Sequence, residues 1–244
     1  MSPNPSHDGL LEASFGKADP DHFRWQTEDP IVSKEERELV RSAFLPLGNR
    51  VLDLGCAEGA TLVHLGRTKD AVGLDIFENK LAFARSRLPN VEFVLGSADA
   101  LPFPDASFDH VLIRDVIHHI QDPSKVVAEC ARVLSPGGRL DILEPNGINP
   151  MIAAHALLNP VERLELRSSV GYLTNLLGPA FKVTKFERFQ PMPLHRLVFH
   201  PRAQRLKVGG LHRVSTGVKF AESLFGRALP KALWAYIHVR AVKG

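Results

Sequence analysis

Seven side chains able to hold charge or move a proton stand at telling places in this sequence. Asp53 lies inside the apolar run Val51-Leu52-Asp53-Leu54, and a turn bounded by Gly55 and Gly59 follows it. Asp75 closes a second apolar run, in GLDI, and Asp99 follows a third, in VEFVLGSAD. Asp115, His118 and His119 follow a fourth run, and Glu144 a fifth. A carboxylate set beside a tight turn attracts a cationic guest and repels a phosphate. A histidine is the ordinary proton acceptor near neutral pH.

Something must position these residues, and the sequence supplies alternating strands and helices. RVLDLG, DAVGLDI, VEFVLGSA, FDHVLIRDV and RLDILEPN are strand-like; ATLVHLGR, ENKLAFARSRL and HHIQDPSKVVAECARVL are helix-like. This alternation implies a parallel sheet covered by helices on both faces. Ligands of such sheets bind outside the carboxyl ends of the strands, where the seven residues stand. Upstream, residues 1–30 read as a loose arm containing Phe15, Phe23 and Trp25. Residues 33–45 read as a helix capped by Ser33, with Glu36 at the capping-box position. Downstream, 150–178 read as two helices broken at Asn159-Pro160, 181–190 as a strand, 191–213 as irregular, 215–228 as a helix and 232–242 as a last strand.

The turn itself, Gly55-Cys56-Ala57-Glu58-Gly59, lacks the middle glycine and the spacing of the dinucleotide fingerprint. A pyrophosphate is therefore not its natural guest. S-adenosylmethionine, with an ammonium, a sulfonium and no phosphate, fits the acid before the turn better. Asp75 can accept from both ribose hydroxyls, a feature shared with dinucleotide folds. Asp99 can meet the adenine amino group, with Ala98 and Ala100 packed on the base; alone, it would read equally well as a turn cap.

The pattern VLDLGCAEG, then VGLDI, then GSADALPFPDASFDHVLIRDVIHHIQDPSKVVAECARVLSPGGRLDILEPN resembles the class I S-adenosylmethionine-dependent methyltransferases, in particular their small-molecule branch. The resemblance covers about residues 35–146 and departs from the family at Ala57, where glycine is usual. It implies an α/β, Rossmann-like, seven-stranded, mostly parallel sheet with helices on both faces and an antiparallel last strand beside the sixth. It implies one methyltransferase domain over 1–244, with an arm or lid at 1–32, a cofactor-binding core at 33–146 and a substrate side at 147–244. Asp53, Gly55, Cys56, Ala57 and Gly59 would surround the methionine part, Asp75 and Ile76 the ribose, and Ala98, Asp99 and Ala100 the adenine. Arg114 would lie beside the methionine carboxylate or the sulfonium, its side chain pointing at the carboxylate or away, and His119 at the same edge. Phe15, Phe23 and Trp25 would form a lid or, equally, ordinary core. S-adenosylhomocysteine would be the product.

Methyl transfer mainly needs alignment, with a base only where the acceptor arrives protonated. His118, His119 and Glu144 are the catalytic candidates, with Asp115 nearby; His155, His195, His200 and His212 lie where an acceptor could be reached. No spacing of His, Asp and Glu resembles a metal site, so none is expected.

Thirteen of the 30 Lys and Arg but only two of the 27 acids, Glu187 and Glu222, fall in residues 181–244, leaving that segment net +11 and the rest net −8. Arg196, Arg202, Arg205, Lys207 and Arg213 cluster there among apolar residues. This suits an anionic or lipid-like acceptor, or peripheral contact with an anionic membrane, as well as a merely solvated face. Nucleic acid is not favoured, for there is no recognition module. Two cysteines, Cys56 and Cys130, exclude a disulfide scaffold, and no secretion signal or spanning segment is read, so a cytoplasmic protein is expected. Oligomeric state is not legible. The rival readings are a cofactor-binding protein without turnover, an enzyme of other chemistry on the same scaffold, and an NAD(P)-dependent oxidoreductase.

Overall fold

Largely apolar runs form the parallel strands here; helices join all of the first five except β3 and β4, which a loop connects. The computed structural model describes residues 7–66, 69–199 and 211–244. Helices α1 (His7–Phe15), α2 (Pro20–Thr27) and α3 (Val32–Phe44) come first. There follow β1 (Val51–Leu54), α4 (Ala60–Leu65), β2 (Ala71–Asp75), α5 (Glu78–Arg87), β3 (Glu92–Leu95) and β4 (Phe108–Arg114). A 3-10 turn, Ile117–His119, leads to α6 (Ser124–Val133), β5 (Leu134–Pro145) and α7 (Pro150–Leu158). A 3-10 segment, Pro160–Arg167, then precedes α8 (Val170–Leu177), β6 (Phe181–Phe189), α9 (Leu194–Val198), α10 (Leu211–Ala228) and β7 (Tyr236–Lys243).

The seven strands form one sheet in the order β3-β2-β1-β4-β5-β7-β6. β1 to β5 pair in parallel, and β7 runs antiparallel to both β5 and β6. The expected Rossmann-like architecture, with its antiparallel last strand beside the sixth, is the one observed. Side chains alternate between the faces of a strand. Leu52, Leu54, Val111, Ile113, Leu140 and Ile142 pack on one face with α6 and α8. Val51, Leu112 and Leu143 pack on the other with α3, α4 and α5. Asp53, opposite Leu112 in register, shares this second face, as does Arg114 two residues further along β4.

The amino-terminal arm is helical rather than loose. Asp19 caps α2 by accepting from the Asp21 and His22 amides, with Pro20 at the first helical position. Phe23 and Trp25 are core, Phe23 edge-on to Phe83 and Trp25 against Val32 and Phe199, so neither is a lid. Ser33 does not cap α3: Asp29 does, accepting from the Ile31 and Val32 amides at 2.9 Å each. The helix expected over 118–134 is broken, because Asp122 takes the Ser124 amide and the helix restarts there. Among the described residues no helix is long and apolar enough to cross a membrane. His200, Arg202, Arg205, Leu206 and Lys207, and the side chains of His212 and Arg213, lie outside what is described.

Candidate functional site

The turn after β1 owes its shape to two glycines and one strained alanine. Gly55 has φ +74°, and a Cβ there would lie 2.4 Å from Val116 Cγ2, so only glycine fits. Gly59 has φ +85° and opens α4. Ala57 between them sits at φ +47°, a left-handed conformation that costs an L-residue about 1–2 kcal/mol. Its amide donates to Asp75 Oδ2 at 2.9 Å, which explains why the strain is held. Ala57→Gly is expected to stabilise the fold by about 0.5–1 kcal/mol, part of the strain relief being offset by the freer unfolded chain. Urea denaturation of both proteins checks this; a less stable variant would mean the strain is not there.

Asp53 is buried, and its Oδ2 has no hydrogen-bond partner among the described residues. Burial pushes its carboxyl up to about 7, Asp75 adding to the rise and Arg114 opposing it. Such a carboxylate suits a cation and is hostile to a phosphate. Asp75, at the end of β2, accepts from the Ala57 and Phe77 amides at 2.9 Å each. A carboxylate offers about four acceptor sites, so two remain for hydroxyls. Ile76, next in the chain, is 52% exposed, an apolar surface ready to be covered. Ser97–Ala100 closes a tight turn in which Asp99 accepts from Ser97 Oγ; Ala98 is half-buried and Ala100 exposed. Cys56 is buried, and burial pushes its thiol well up, so it is no nucleophile.

The arm crosses this site. Asp19 N donates to Glu58 Oε1 at 3.0 Å, and Lys80 Nζ lies 3.8 Å from Glu58 Oε2. The ring of Phe15 lies 5.0 Å from that of His119 and 5.6 Å from Lys80 Nζ. Of the three expected lid aromatics, Phe15 is the one set over the strand ends.

Arg114 closes β4 and pairs with Glu36 of α3, which also takes Arg196 Nε at 2.8 Å. Glu36 is thus no capping-box residue. Val32, Glu36, Leu39, Val40 and Ala43 form the buried stripe of α3, and an acid in such a stripe needs a buried cation. Arg114 and Arg196 hold its carboxyl down at about 2. Arg196 also packs its guanidinium 4.7 Å over the Tyr236 ring, so this member of the basic segment is spent internally. His195 is spent in the same way, bonded to Glu222 at 2.8 Å.

Below the 3-10 turn, Glu144 is fully buried and accepts from the amides of Val116, Ile117 and His118 at 2.7, 2.8 and 3.2 Å. It also takes His118 Nδ1 at 2.6 Å. Its acceptor sites are filled, and its carboxyl is held below the usual range by His118 and the amides. The expectation of Glu144 as an open base at the site mouth therefore gives way to an anchor. His118, buried between Glu144 and Glu162, is held protonated: these acids outweigh its burial and raise its pKa well above the ordinary value. A protonated imidazole cannot accept a proton, so His118 as base also gives way. His119 is half-buried, 4.0 Å ring to ring from His118. Glu162, which sequence reasoning did not single out, comes from the distant 3-10 segment to 3.5 Å from His118 Nε2 and 3.9 Å from His119 Nδ1. His155 of α7 reaches Glu165 rather than the strand ends.

Residues 52–142 match a family described as a methyltransferase domain. A "Probable S-adenosylmethionine-dependent methyltransferase" of Mycolicibacterium smegmatis is 39% identical over 142 residues, covering 57% of this chain and 54% of that protein. The 27-O-demethylrifamycin SV methyltransferase of Amycolatopsis mediterranei is 34% identical over 131 residues, covering 49% and 48%. This chain thus matches about half the length of these relatives. Among solved structures, the Haemonchus contortus phosphoethanolamine N-methyltransferase 2 in complex with S-adenosyl-L-methionine superposes with TM-score 0.67 at 18% identity, covering 99% of this chain and 60% of that one. At that identity the likeness is one of fold.

Proposed function

We propose that this chain is a class I S-adenosylmethionine-dependent methyltransferase and transfers a methyl group from S-adenosylmethionine to a small-molecule acceptor at an O, N or C nucleophile. One observation carries the reading: the buried Asp53 carboxylate, with an oxygen lacking a partner among the described residues, faces the glycine turn and suits a cation. Bound there, S-adenosylmethionine supplies a methyl group already activated by its sulfonium.

The residues then have distinct tasks. Asp53 draws the ammonium, and Asp75 accepts from the ribose hydroxyls with the sites its two amides leave over. Ile76, Ala98 and Ala100 cover the base, and Asp99 meets its amino group. Arg114, which shares the Glu36 carboxylate with Arg196, sits by the methionine carboxylate. Phe15 closes over the site and excludes water, which strengthens every charge interaction inside. Alignment of this kind accounts for ~7–11 kcal/mol of barrier lowering in well-oriented reactions. Where the acceptor arrives protonated, His119 is the base, and His118 and Glu144 fix its turn.

The acceptor itself is a finer proposal. The basic excess of residues 181–244 favours an anionic or lipid-like molecule. Phe220 and Leu224, one turn apart on α10 and 66% and 48% exposed, favour one presented at an anionic surface. Residues 1–32, 33–146 and 147–244 act in this proposal as an arm whose Phe15 is the lid, the cofactor core and the acceptor side of one domain. A cytoplasmic setting belongs to it too, in keeping with the free thiols of Cys56 and Cys130.

Parallel calorimetric titration with S-adenosylmethionine, S-adenosylhomocysteine and NAD tests the reading. The first two are expected to bind, and Asp75→Ala to weaken both by about 1–3 kcal/mol. Binding of NAD alone would return the chain to the oxidoreductases. Binding of S-adenosylmethionine with no labelled methyl transferred to any acceptor would favour a binding protein. In that screen, equal turnover of anionic and neutral acceptors, free or on vesicles, would remove the anionic proposal.

A further inference from the structure

We infer that His118, His119 and Glu162 form a binding site for one divalent transition-metal ion, of the Zn²⁺ class, beside the proposed methyl-transfer site. His118 Nε2, His119 Nδ1 and a carboxylate oxygen of Glu162 lie within 4.8 Å of one another. The two edges to Glu162 Oε2 measure 3.5 and 3.9 Å. Tetrahedral ligands on bonds of ~2.0–2.1 Å are separated by about 3.3–3.4 Å, so the three need to close by only a fraction of an ångström to a rotamer adjustment.

The surroundings are those of a metal-ligating histidine. Such a histidine donates its second ring nitrogen to a carboxylate, which fixes the tautomer and aims the other nitrogen at the ion. His118 does this through Nδ1 to Glu144 at 2.6 Å, leaving Nε2 toward Glu162; the ion would take the place of the proton that Nε2 carries in the metal-free chain and release it to solvent. Glu144 is in turn held by three backbone amides, so the support is rigid. The opposite wall is tied down as well. Arg167 of the 3-10 segment donates to the carbonyl of Gln121 at 2.9 Å, to that of Ile117 at 3.2 Å and to that of Ile120, clamping Glu162's segment to the histidine turn. Gly147 permits the close docking: a Cβ there would lie 2.3 Å from the Glu165 carbonyl oxygen.

A plain ion pair explains this arrangement less well. The His118 charge is already met by Glu144, and Glu162 adds a second carboxylate whose buried Oε2 makes, among the described residues, the two long approaches given above and no hydrogen bond. Two imidazoles and one carboxylate suit a borderline transition metal, whereas Mg²⁺ and Ca²⁺ take oxygen ligands. Three protein ligands leave at least one position for an oxygen or nitrogen of a bound molecule. With the ion in place His119 is a ligand, and lowering the acceptor's pKa falls to the metal rather than to imidazole. That use rests on the methyl-transfer reading; the ion site stands apart from it.

The test is calorimetric titration of the untagged, chelator-treated protein with Zn²⁺ and, separately, Mg²⁺. Equilibrium dialysis and elemental analysis give the stoichiometry. One Zn²⁺ per chain is expected, with Mg²⁺ giving no saturable heat. Glu162→Gln and His119→Asn, each checked for folding by circular dichroism, are expected to weaken Zn²⁺ binding at least tenfold. Absence of saturable Zn²⁺ binding, equal binding of Mg²⁺, or affinity unchanged in both folded variants would overturn the assignment. S-adenosylmethionine titrated into the same samples keeps a failed metal site distinct from a failed cofactor site.

Discussion

Asp53→Asn is expected to abolish detectable S-adenosylmethionine binding while making the ligand-free protein more stable above pH 7. Asp53 is 1% exposed, and burial holds its carboxyl at about 7, against 3.8 for the ordinary group. Between those values the folded chain keeps a proton that the unfolded chain has released. Stability contributed by this group is therefore present at low pH and is lost as pH climbs from about 4 to 7. The full loss is about 4 kcal/mol at 1.36 kcal/mol per pKa unit, to order of magnitude. An asparagine has no charge to bury and escapes the loss. The same charge is what an ammonium would meet, so wild-type affinity should rise with pH through 7 and then level off. Urea denaturation and calorimetry at pH 5 and 8 read both effects. A variant that binds like the wild type, or that keeps the wild-type pH slope of stability, would remove Asp53 from this role.

The second large effect is expected at Glu36. Glu36→Gln leaves Arg114 and Arg196, both largely buried, facing a neutral amide. Removing one member of a buried charge cluster typically costs 3–5 kcal/mol, roughly the loss expected here at pH 7. The pH dependence has the opposite sign to that of Asp53. Glu36 is held at about 2 against 4.5, so its stabilisation, about 3 kcal/mol, is present above pH 4.5 and disappears as pH falls through 2. Replacing Glu36 and Arg196 together by methionines should cost less than the single change, since fewer charges are left uncompensated. Thermal melts of the three proteins decide the matter; a Glu36→Gln protein as stable as wild type would show that solvent already screens the cluster.

The turn after β1, the proposed cofactor end of the site, was legible because its determinants are local. A strand, an acid and a glycine turn lie within a few residues, and period-two alternation fixes which face Asp53 takes. The acids that close the next strands follow the same rule. Glu36, Arg196 and Glu162 were not legible, because each acquires its meaning from a partner far along the chain. Glu36 matched a capping box by local spacing, yet its place in the apolar stripe of α3 was the signal of burial. No metal site was expected from spacing, and spacing cannot see the fold-back of a 3-10 segment onto a histidine turn on which the proposed ion site rests. The basic excess after residue 180 similarly hid that Arg196 and Arg240 are committed inward, Arg240 donating to Asp141 at 2.7 Å. Phe23 and Trp25 match Phe15 in type, and only packing distinguishes core from cover.

The strand order has a consequence for how the chain reaches this state. β7, at residues 236–243, lies between β5 and β6, so β6 touches the rest of the sheet only through a strand that follows it. On a ribosome, the five parallel strands can assemble while the outer edge of β5 stays open, its amides and carbonyls unpaired. Residues 181–189 must wait, already made, for a partner still in the exit tunnel. An open edge is a template for pairing with another chain. Contacts made across nearly a hundred residues are slow to form. The nascent protein therefore passes through a long interval in which its half-built sheet is its most adhesive surface, and insertion of the last strand ends it.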